Sequence, residues 1–268
     1  MTVLIILISL VALYVVSTMC RHGHKGLQAL RGHAYAHRGL HGDGIPENSL
    51  TAFQKAMEGG YGVELDVHLM KDGALAVIHD AKLLRTTGAT GLVEELTAED
   101  LKNYKLEGTE ETIPLFSDVL KLFDGKVPII LELKCQGNNY AALCQAACDM
   151  MDNYPGPYCM ESFDPRCIYW LRKNRPDVIR GQLTENFFQS NSKLPAPVKF
   201  ILRHNLVNFL TVPDFVSYKY AHRKHTITNS ICRKVWDAQG VSWTIKTQEE
   251  FDTAVKEGWL PIFEDFTP

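Results

Sequence analysis

The stretch AHRGLHGDGIPENSLTAFQKAMEGGYGVELDVHLMKDGALAVIHD, residues 36–80, decides the fold because it carries a strand, a helix and another strand in succession. Its central part, SLTAFQKAMEGG, has apolar residues at helical spacing between a suitable N-cap, Ser49, and a stop at Gly59. The following segment, YGVELDVHLM, alternates as a strand does. A strand followed by a helix and a further strand pairs in parallel through a right-handed crossover. The stretch therefore predicts a sheet of parallel strands.

The rest of the chain repeats this order of strand and helix. Further strand-like runs, each followed or preceded by a helical pattern, are KVPIILELK, YCMESF, VIRGQL, DFVSYKY, VSWTI and LPIFEDF. About eight such units close into a barrel. A doubly wound sheet is the alternative, but no Gly-x-Gly-x-x-Gly follows the first strand. We therefore predict an α/β fold, a (β/α)8 TIM barrel, over residues 33–268.

The composition of the 268-residue chain fits one large domain. It is 46% hydrophobic and 22% charged, and no Gly/Pro/Ser linker or charge block divides the repeated units. The net charge of −3 gives no global basic surface, which argues against a nucleic-acid partner. The seven cysteines are odd in number and lack metal-site spacing, so we expect free thiols in a reducing compartment.

The first residues, MTVLIILISLVALYVVSTMC, carry no charged side chain. As a helix rising about 1.5 Å per residue they would span about 30 Å, the thickness of the hydrocarbon core of a membrane. A cleaved signal peptide is the alternative, but it usually begins with basic residues and ends at small ones. We therefore predict a transmembrane anchor over residues 1–20 and a juxtamembrane connector over residues 21–32. Arg21, Lys25 and Arg31 follow the anchor, which predicts a single-pass protein with a cytoplasmic catalytic domain.

Side chains able to do chemistry stand at the predicted strand ends, where the active site of such a barrel lies. In chain order they are His37, Arg38, Glu64, Asp66, His79, Asp80, Glu132, Lys134, Glu161, Phe163 and Trp243. Residues two apart on a strand point the same way, so Glu64 and Asp66 share a face. The same holds for Glu132 and Lys134. These side chains are therefore expected to meet at the mouth of the barrel.

Three converging carboxylates, from Glu64, Asp66 and Glu132, repel one another unless a cation lies among them. Their hard oxygen atoms favour Mg²⁺ or Ca²⁺, with positions left open for water or a phosphate oxygen. Arg38 and Lys134 suit the remaining phosphate charge. The sequence therefore predicts a metal-dependent site that binds a phosphate ester.

Two histidines, His37 and His79, suit general acid–base catalysis because imidazole titrates near neutral pH. On opposite sides of a phosphate, one would take up a proton and the other would release one. The competing hypothesis is a membrane-anchored barrel that binds phospholipid headgroups without turnover. That hypothesis predicts loss of a histidine or carboxylate, and both histidines and all three carboxylates are present.

A set of motifs gives the chain a resemblance to a known family. The motifs are HRG (37–39), PENSLTAF (46–53), ELDVHLMKDG (64–73), VIHD (77–80), LELK (131–134), ESF (161–163) and VSWTI (241–245). From Ala34 to the C-terminus the chain resembles the glycerophosphodiester phosphodiesterase family. The membrane-anchored members most similar in style act on lysophospholipids as lysophospholipase D-type enzymes. The resemblance therefore implies a glycerophosphodiester or lysophospholipid substrate.

The resemblance implies catalytic and metal-binding roles for five residues. It implies that His37 and His79 are the acid–base pair. It implies that Glu64, Asp66 and Glu132 bind the divalent ion, Mg²⁺ or Ca²⁺. The substrate's own glycerol hydroxyl would attack phosphorus and form a cyclic phosphate. No organic cofactor is implied.

Other residues are implied to hold the substrate. Arg38 and Lys134 would contact the phosphate, Glu47 would support the site, and Phe163 and Trp243 would wall the pocket. A sphingomyelinase D-like enzyme would share the histidines and the metal, so substrate trials are needed to separate the two. The chain departs from the family pattern at Met70 and Glu264, where Thr is common, and Glu264 puts the pocket shape near the last strand in question.

Overall fold

The computed structural model describes residues 1–268. Its nine strands are β1 (Tyr35–His37), β2 (Gly62–Leu69), β3 (Leu75–Val77), β4 (Ile129–Leu133), β5 (Tyr158–Ser162), β6 (Arg180–Thr184), β7 (Phe215–Lys219), β8 (Gln239–Ile245) and β9 (Trp259–Phe263). Its ten α-helices are α1 (Thr2–Ser17), α2 (Leu50–Glu58), α3 (Leu84–Thr87), α4 (Phe116–Phe123), α5 (Tyr140–Met151), α6 (Pro165–Asn174), α7 (Ala196–Arg203), α8 (Asn208–Thr211), α9 (Thr228–Lys234) and α10 (Gln248–Lys256).

Eight of the strands form a closed parallel barrel. Strand β1 pairs in parallel with β2 on one side and with β9 on the other, which closes the sheet. Strand β3 stands outside this ring and pairs antiparallel with β2. The predicted (β/α)8 barrel is therefore confirmed, with one added strand between the second and third barrel strands.

Local sequence explains the first helix of the barrel. The hydroxyl of Ser49 accepts a hydrogen bond from the backbone N–H of Ala52, so Ser49 is the N-cap that begins α2. Helix α2 ends at Glu58, just before Gly59. Its buried Phe53 packs edge-to-face on Phe123 of α4 at 5.5 Å, in the core between the barrel and the helices. The loop that carries the HRG motif is held to α2, because the backbone N–H of Leu40 donates to the carbonyl of Ala52.

The amino-terminal end of the barrel is closed by apolar packing. Leu27 and Leu30, which precede β1, are buried against the inward-facing Tyr35 and Phe215. A Cβ atom at Gly181 would lie 2.0 Å from the ring of Phe215, so only glycine fits there. Because this end is filled, access to the barrel is from the carboxyl ends of the strands.

The predicted transmembrane anchor over residues 1–20 is not found. Helix α1 has 16 residues, about 24 Å at 1.5 Å per residue against a hydrocarbon core of about 30 Å. The helix ends at Ser17, and Thr18 and Cys20 are buried against the barrel. None of the helices has both the length and the apolar character needed to cross a membrane.

The predicted connector, residues 21–32, lies along the amino-terminal end of the barrel. The backbone N–H of Arg21 donates to the carbonyl of Pro213, and its guanidinium pairs with the fully buried Asp214. Leu27 and Leu30 add the apolar contacts described above. This segment therefore contributes to the barrel core.

Candidate active site

A pocket of about 620 Å³ opens at the carboxyl ends of the strands. Eight of the predicted site residues line it: His37, Arg38, Glu47, Glu64, His79, Glu132, Phe163 and Trp243. The two others, Lys134 and Asp66, are linked to these residues by ion pairs. The Lys134 Nζ atom lies 2.8 Å from Glu132 and 3.0 Å from Asp66. The structure thus brings together all ten residues for which a role at one site was predicted.

Strand register explains this convergence. His37 of β1 is paired with Glu64 of β2, and Asp66 of β2 is paired with Glu132 of β4. The next pairing joins Glu132 to Glu161 of β5. Because neighbouring strands are in parallel register, these side chains lie side by side around the barrel.

Three buried carboxylates form the centre of the pocket floor. Oxygen atoms of Glu64, Asp66 and Glu132 lie within 4.8 Å of one another. Burial and the charges of Asp66 and Glu132 raise the pKa of Glu64 well above its ordinary value. Burial also raises the pKa of Glu132, although Lys134 opposes this. A compact set of carboxylate oxygens that repel one another is the donor set that Mg²⁺ or Ca²⁺ prefers, so the residues fit such an ion.

Two cations stand beside the carboxylates. Burial lowers the pKa of Lys134, but Asp66 and Glu132 outweigh it and raise this pKa above its ordinary value, so the ammonium stays charged. Arg38 donates from Nη1 to both carboxylate oxygens of Glu47, at 3.0 and 2.9 Å. Glu47 therefore orients the guanidinium, which also lies 3.5 Å from Asp66.

His37 is oriented by a residue from the last strand's end. Its Nδ1–H donates to the Glu264 carboxylate, whose other oxygen lies 2.7 Å from the Lys246 ammonium. Burial lowers the pKa of His37, and the bond to Glu264 opposes that shift. Burial also opposes ionisation of Glu264, but His37 and Lys246 hold the pKa of this carboxyl well below its ordinary value. With Nδ1 so engaged, Nε2 of His37 lies 3.9 Å from Glu64, on the pocket side.

His79 has the same arrangement with different partners. Its Nδ1–H donates to Asp80 at 2.6 Å, and Asp80 also accepts from Arg85. Arg85 in turn donates to both oxygens of Glu47. The backbone carbonyl of His79 lies 3.1 Å from Nε2 of His68, which fixes this part of the chain. Both histidines therefore have a carboxylate on Nδ1, which leaves Nε2 for a substrate.

Sequence reasoning placed Asp80 and Glu161 at strand ends without a role, and it missed other residues of this site. No role was predicted for Asp80, Arg85, Lys246 or Glu264, although each contacts a predicted residue or its partner. Glu264 had one signal, since it replaces the common Thr. Glu161 also faces the pocket, where burial and the Glu132 charge raise its pKa to about 8.

Aromatic rings form one wall of the pocket. Phe163 packs edge-to-face on Trp243 at 5.6 Å and on Phe187 at 6.1 Å. The Lys219 ammonium lies over the Trp243 ring at 5.6 Å. The wall continues from the pocket along the outside of the barrel mouth, toward the segment that precedes α7.

A closed parallel barrel whose carboxyl end holds two carboxylate-bonded histidines beside buried acidic residues has the architecture of a TIM-barrel enzyme. Residues 37–267 match the glycerophosphoryl diester phosphodiesterase family. The chain belongs to this family.

Individual relatives agree with the family assignment. A glycerophosphodiester phosphodiesterase of Bacillus altitudinis is 42% identical over 113 residues, 40% of this chain. That alignment spans 46% of the Bacillus relative, less than half of its length. Human glycerophosphodiester phosphodiesterase 1 is 29% identical over 256 residues, which cover 81% of this chain and 72% of the human protein.

Solved structures share the fold. An Oleispira antarctica phosphodiesterase, solved in complex with the product sn-glycerol-3-phosphate, has a TM-score of 0.72 and 22% identity. The match covers 89% of this chain and 94% of that one. A second structure, a glycerophosphodiester phosphodiesterase from Thermotoga maritima, has a TM-score of 0.66, 22% identity and coverage of 87% and 93%. At this level of sequence identity, the two matches show that the barrel fold is shared.

Proposed function

We propose that this protein hydrolyses glycerophosphodiesters with the help of a divalent metal ion and a pair of acid–base histidines. One observation carries the proposal: two histidines, each held through Nδ1 by a carboxylate, line the pocket whose floor holds three clustered carboxylates. Neither a carboxylate cluster nor a histidine alone would define this chemistry. Family membership supports the phosphodiester as the substrate class.

Glu64, Asp66 and Glu132 would hold the ion. Once bound, Mg²⁺ or Ca²⁺ acts as a Lewis acid toward the phosphoryl oxygens. The chain's own cations do related work, because Lys134 and Arg38 stay charged beside the cluster and attract the phosphate. Glu47 keeps Arg38 in place for that contact.

The two histidines would move the protons. One Nε2 atom takes the proton from the glycerol hydroxyl next to the phosphate, and the oxygen attacks phosphorus. The ester bond to the departing alcohol breaks, and the other histidine gives that oxygen a proton. Water then opens the resulting cyclic phosphate. Glu264 and Asp80 contribute by holding His37 and His79 with Nε2 toward the substrate.

A substrate analogue without the glycerol hydroxyl next to the phosphate should bind without reacting, because it lacks the nucleophile. Competition against a cleavable glycerophosphodiester measures its binding, and mass spectrometry measures its turnover. Cleavage of the analogue at the normal rate would mean that water attacks phosphorus directly.

An apolar groove favours lysophospholipids as a second substrate of the same site. The groove, of about 590 Å³, shares Phe163 with the catalytic pocket, and its Glu185 pairs with the pocket residue Lys219 at 3.2 Å. It continues past Phe187, Leu194 and Val198. Few polar atoms interrupt it. An alkyl chain fits such a surface better than a second headgroup does, since each buried CH₂ contributes about 0.8 kcal/mol.

The substitution Val198→Trp should fill this groove and lower the preference for a lysophospholipid over the matching deacylated glycerophosphodiester. We expect the ratio of the two kcat/KM values to fall at least about tenfold, the worth of roughly two buried CH₂ groups. The control is Val255→Trp on α10, a position 50% exposed and away from the groove. An unchanged ratio in Val198→Trp would exclude the groove as the acyl-chain site.

Helix α1 supports a contact with lipid, and we infer that its apolar side chains enter the membrane from which such a substrate comes. Tyr14 bonds Thr228 at the start of α9 at 2.7 Å, and the Thr18 carbonyl accepts from Cys232 one turn further along α9. The two helices therefore run side by side in the same direction. Helix α9 begins on the side where β7 ends, so residues 1–13, all exposed, extend past its start on the side where the catalytic pocket opens.

A variant lacking residues 2–13 should cleave dispersed substrate normally but lose rate on lysophospholipid embedded in vesicles. This deletion keeps Tyr14 and the buried Thr18 and Cys20, so the barrel contacts remain. Vesicle sedimentation measures binding, and paired assays measure rate. If the deletion does not change the rate on either dispersed or vesicle-embedded substrate, α1 is only a tether and takes no part in access to the lipid. The cytoplasmic orientation expected from Arg21, Lys25 and Arg31 stays a prediction.

A further inference from the structure

A second cluster of possible metal ligands lies behind His37. One ligand atom from each of His37, His41 and Glu264 falls within 4.8 Å of the others. The Nε2 atom of His41 lies 3.9 Å from Glu264 Oε2, and it is buried without a hydrogen-bond partner. Lys246 pairs with the other oxygen, Oε1, which leaves Oε2 to the two histidines. His41 Nε2 is therefore a buried polar atom that faces the Glu264 carboxylate without a hydrogen bond.

The spacing and the donor types fit one transition-metal ion. Two atoms bound to one zinc ion at about 2.1 Å each lie no more than about 4.2 Å apart, and the His41–Glu264 separation meets this limit. Two imidazole nitrogens and a carboxylate suit zinc, whereas the all-carboxylate cluster suits Mg²⁺ or Ca²⁺. We infer that His37, His41 and Glu264 form an inhibitory site for Zn²⁺ or a similar transition-metal ion, separate from the carboxylate cluster.

Inhibition follows from the structure of imidazole. In the resting site His37 bonds Glu264 through Nδ1, so the neutral ring carries its proton on Nδ1 and its lone pair on Nε2. A metal ion on Nδ1 takes that place, and the neutral ring then carries its only proton on Nε2. Nε2 has lost the lone pair that a general base needs. The N–H of a neutral ring is also a far weaker acid than imidazolium, so His37 is disabled in either role.

Two of the three ligands can be approached from outside the catalytic pocket. His41 and Glu264 also line a separate surface cavity of about 570 Å³, formed with the loop after β1 and the chain after β9. The side chains of His37, His41 and Glu264 are 13%, 20% and 15% exposed. His37 lines the catalytic pocket, as the other two ligands also do, so a small ion can approach His41 and Glu264 from either side and meets His37 at the pocket.

The test is a Zn²⁺ titration at saturating Mg²⁺ or Ca²⁺, which keeps the carboxylate cluster filled. Isothermal titration calorimetry should detect one zinc ion per chain in the wild type, with at least about tenfold weaker binding in His41→Gln, because even supporting residues of metal sites are worth that much. The control is His22→Gln, whose side chain is 77% exposed at the other end of the barrel. Its zinc affinity should equal that of the wild type.

Activity provides the second measurement, and it rests on the proposed function. The Zn²⁺ concentration that halves each protein's own metal-activated rate should rise at least about tenfold in His41→Gln. Equal zinc affinity in His41→Gln and the wild type would overturn the proposal, and so would zinc binding without inhibition. If the enzyme shows no turnover at all, the proposed function fails, but calorimetry still decides whether the site exists.

Discussion

Alanine at His37 or at His79 should lower kcat by at least about a hundredfold, the usual scale of acid–base catalysis. Each ring presents Nε2 to the pocket and has its Nδ1–H on a carboxylate, so no neighbouring group can replace it. The two substitutions should not add fully in the double variant, because each alone already stops one of two coupled proton transfers. Steady-state kinetics on a soluble glycerophosphodiester measures this.

The matched control for these variants is His22→Ala, which removes an exposed histidine far from the pocket. Thermal unfolding of each variant checks that the loss of rate is not a loss of fold. Full activity in His37→Ala or in His79→Ala would remove that residue from the mechanism.

Excess chelator should abolish activity, and added Mg²⁺ or Ca²⁺ should restore it. The carboxylates of Glu64, Asp66 and Glu132 repel one another, and the nearby Lys134 offsets this repulsion only in part. The site therefore needs a metal ion to compensate the remaining negative charge. A metal ion that binds only the folded protein should also raise Tm in proportion to the logarithm of its concentration. Differential scanning calorimetry with and without the ion measures this effect independently of turnover.

The variant Glu64→Gln provides the control for the metal experiment, because it removes one charged ligand and keeps the side-chain size. Its activity should be lost, and the increase in Tm with metal should shrink. Undiminished activity of the wild type in excess chelator would contradict the metal-dependent mechanism. A full Tm increase in Glu64→Gln would place the ion elsewhere.

The barrel and most of its site could be predicted because the relevant signals are local. Alternating apolar patterns mark strands and helices one at a time, and parallel order follows from their succession. The position of a side chain at a strand's end then fixes its place at the barrel mouth. This reasoning covers His37, Glu64 and Glu132. Their strands are neighbours in the sheet, because β2 pairs with both β1 and β4.

The partner of His37 and the arginine that links Asp80 to Glu47 could not be predicted in this way. His37 and Glu264 are 227 positions apart, and they meet only because β9 closes the ring beside β1. Arg85 lies outside the barrel strands, in α3, yet it joins Asp80 to Glu47. Such contacts depend on closure and on loop packing, which local periodicity does not encode.

The N-terminal segment shows the limit of hydropathy alone. The apolar run continues through Met19, but the helix ends at Ser17 because the residues that follow it pack on the barrel. Thr18 is buried, its carbonyl accepts from the Cys232 thiol, and the Trp236 Nε1–H donates to Val15. A hydropathy count includes these residues in a membrane span, whereas tertiary packing assigns them to the barrel surface.

The central claim is that this pocket cleaves a glycerophosphodiester between the phosphate and the departing alcohol. The most direct measurement is mass spectrometry of the products after incubation with glycerophosphocholine and a divalent ion. We predict glycerol phosphate, with its cyclic form as an earlier species, and free choline, with both formed at least about a hundredfold more slowly by the His37→Ala protein. Phosphocholine and free glycerol, or no product from the wild-type enzyme, would contradict the account.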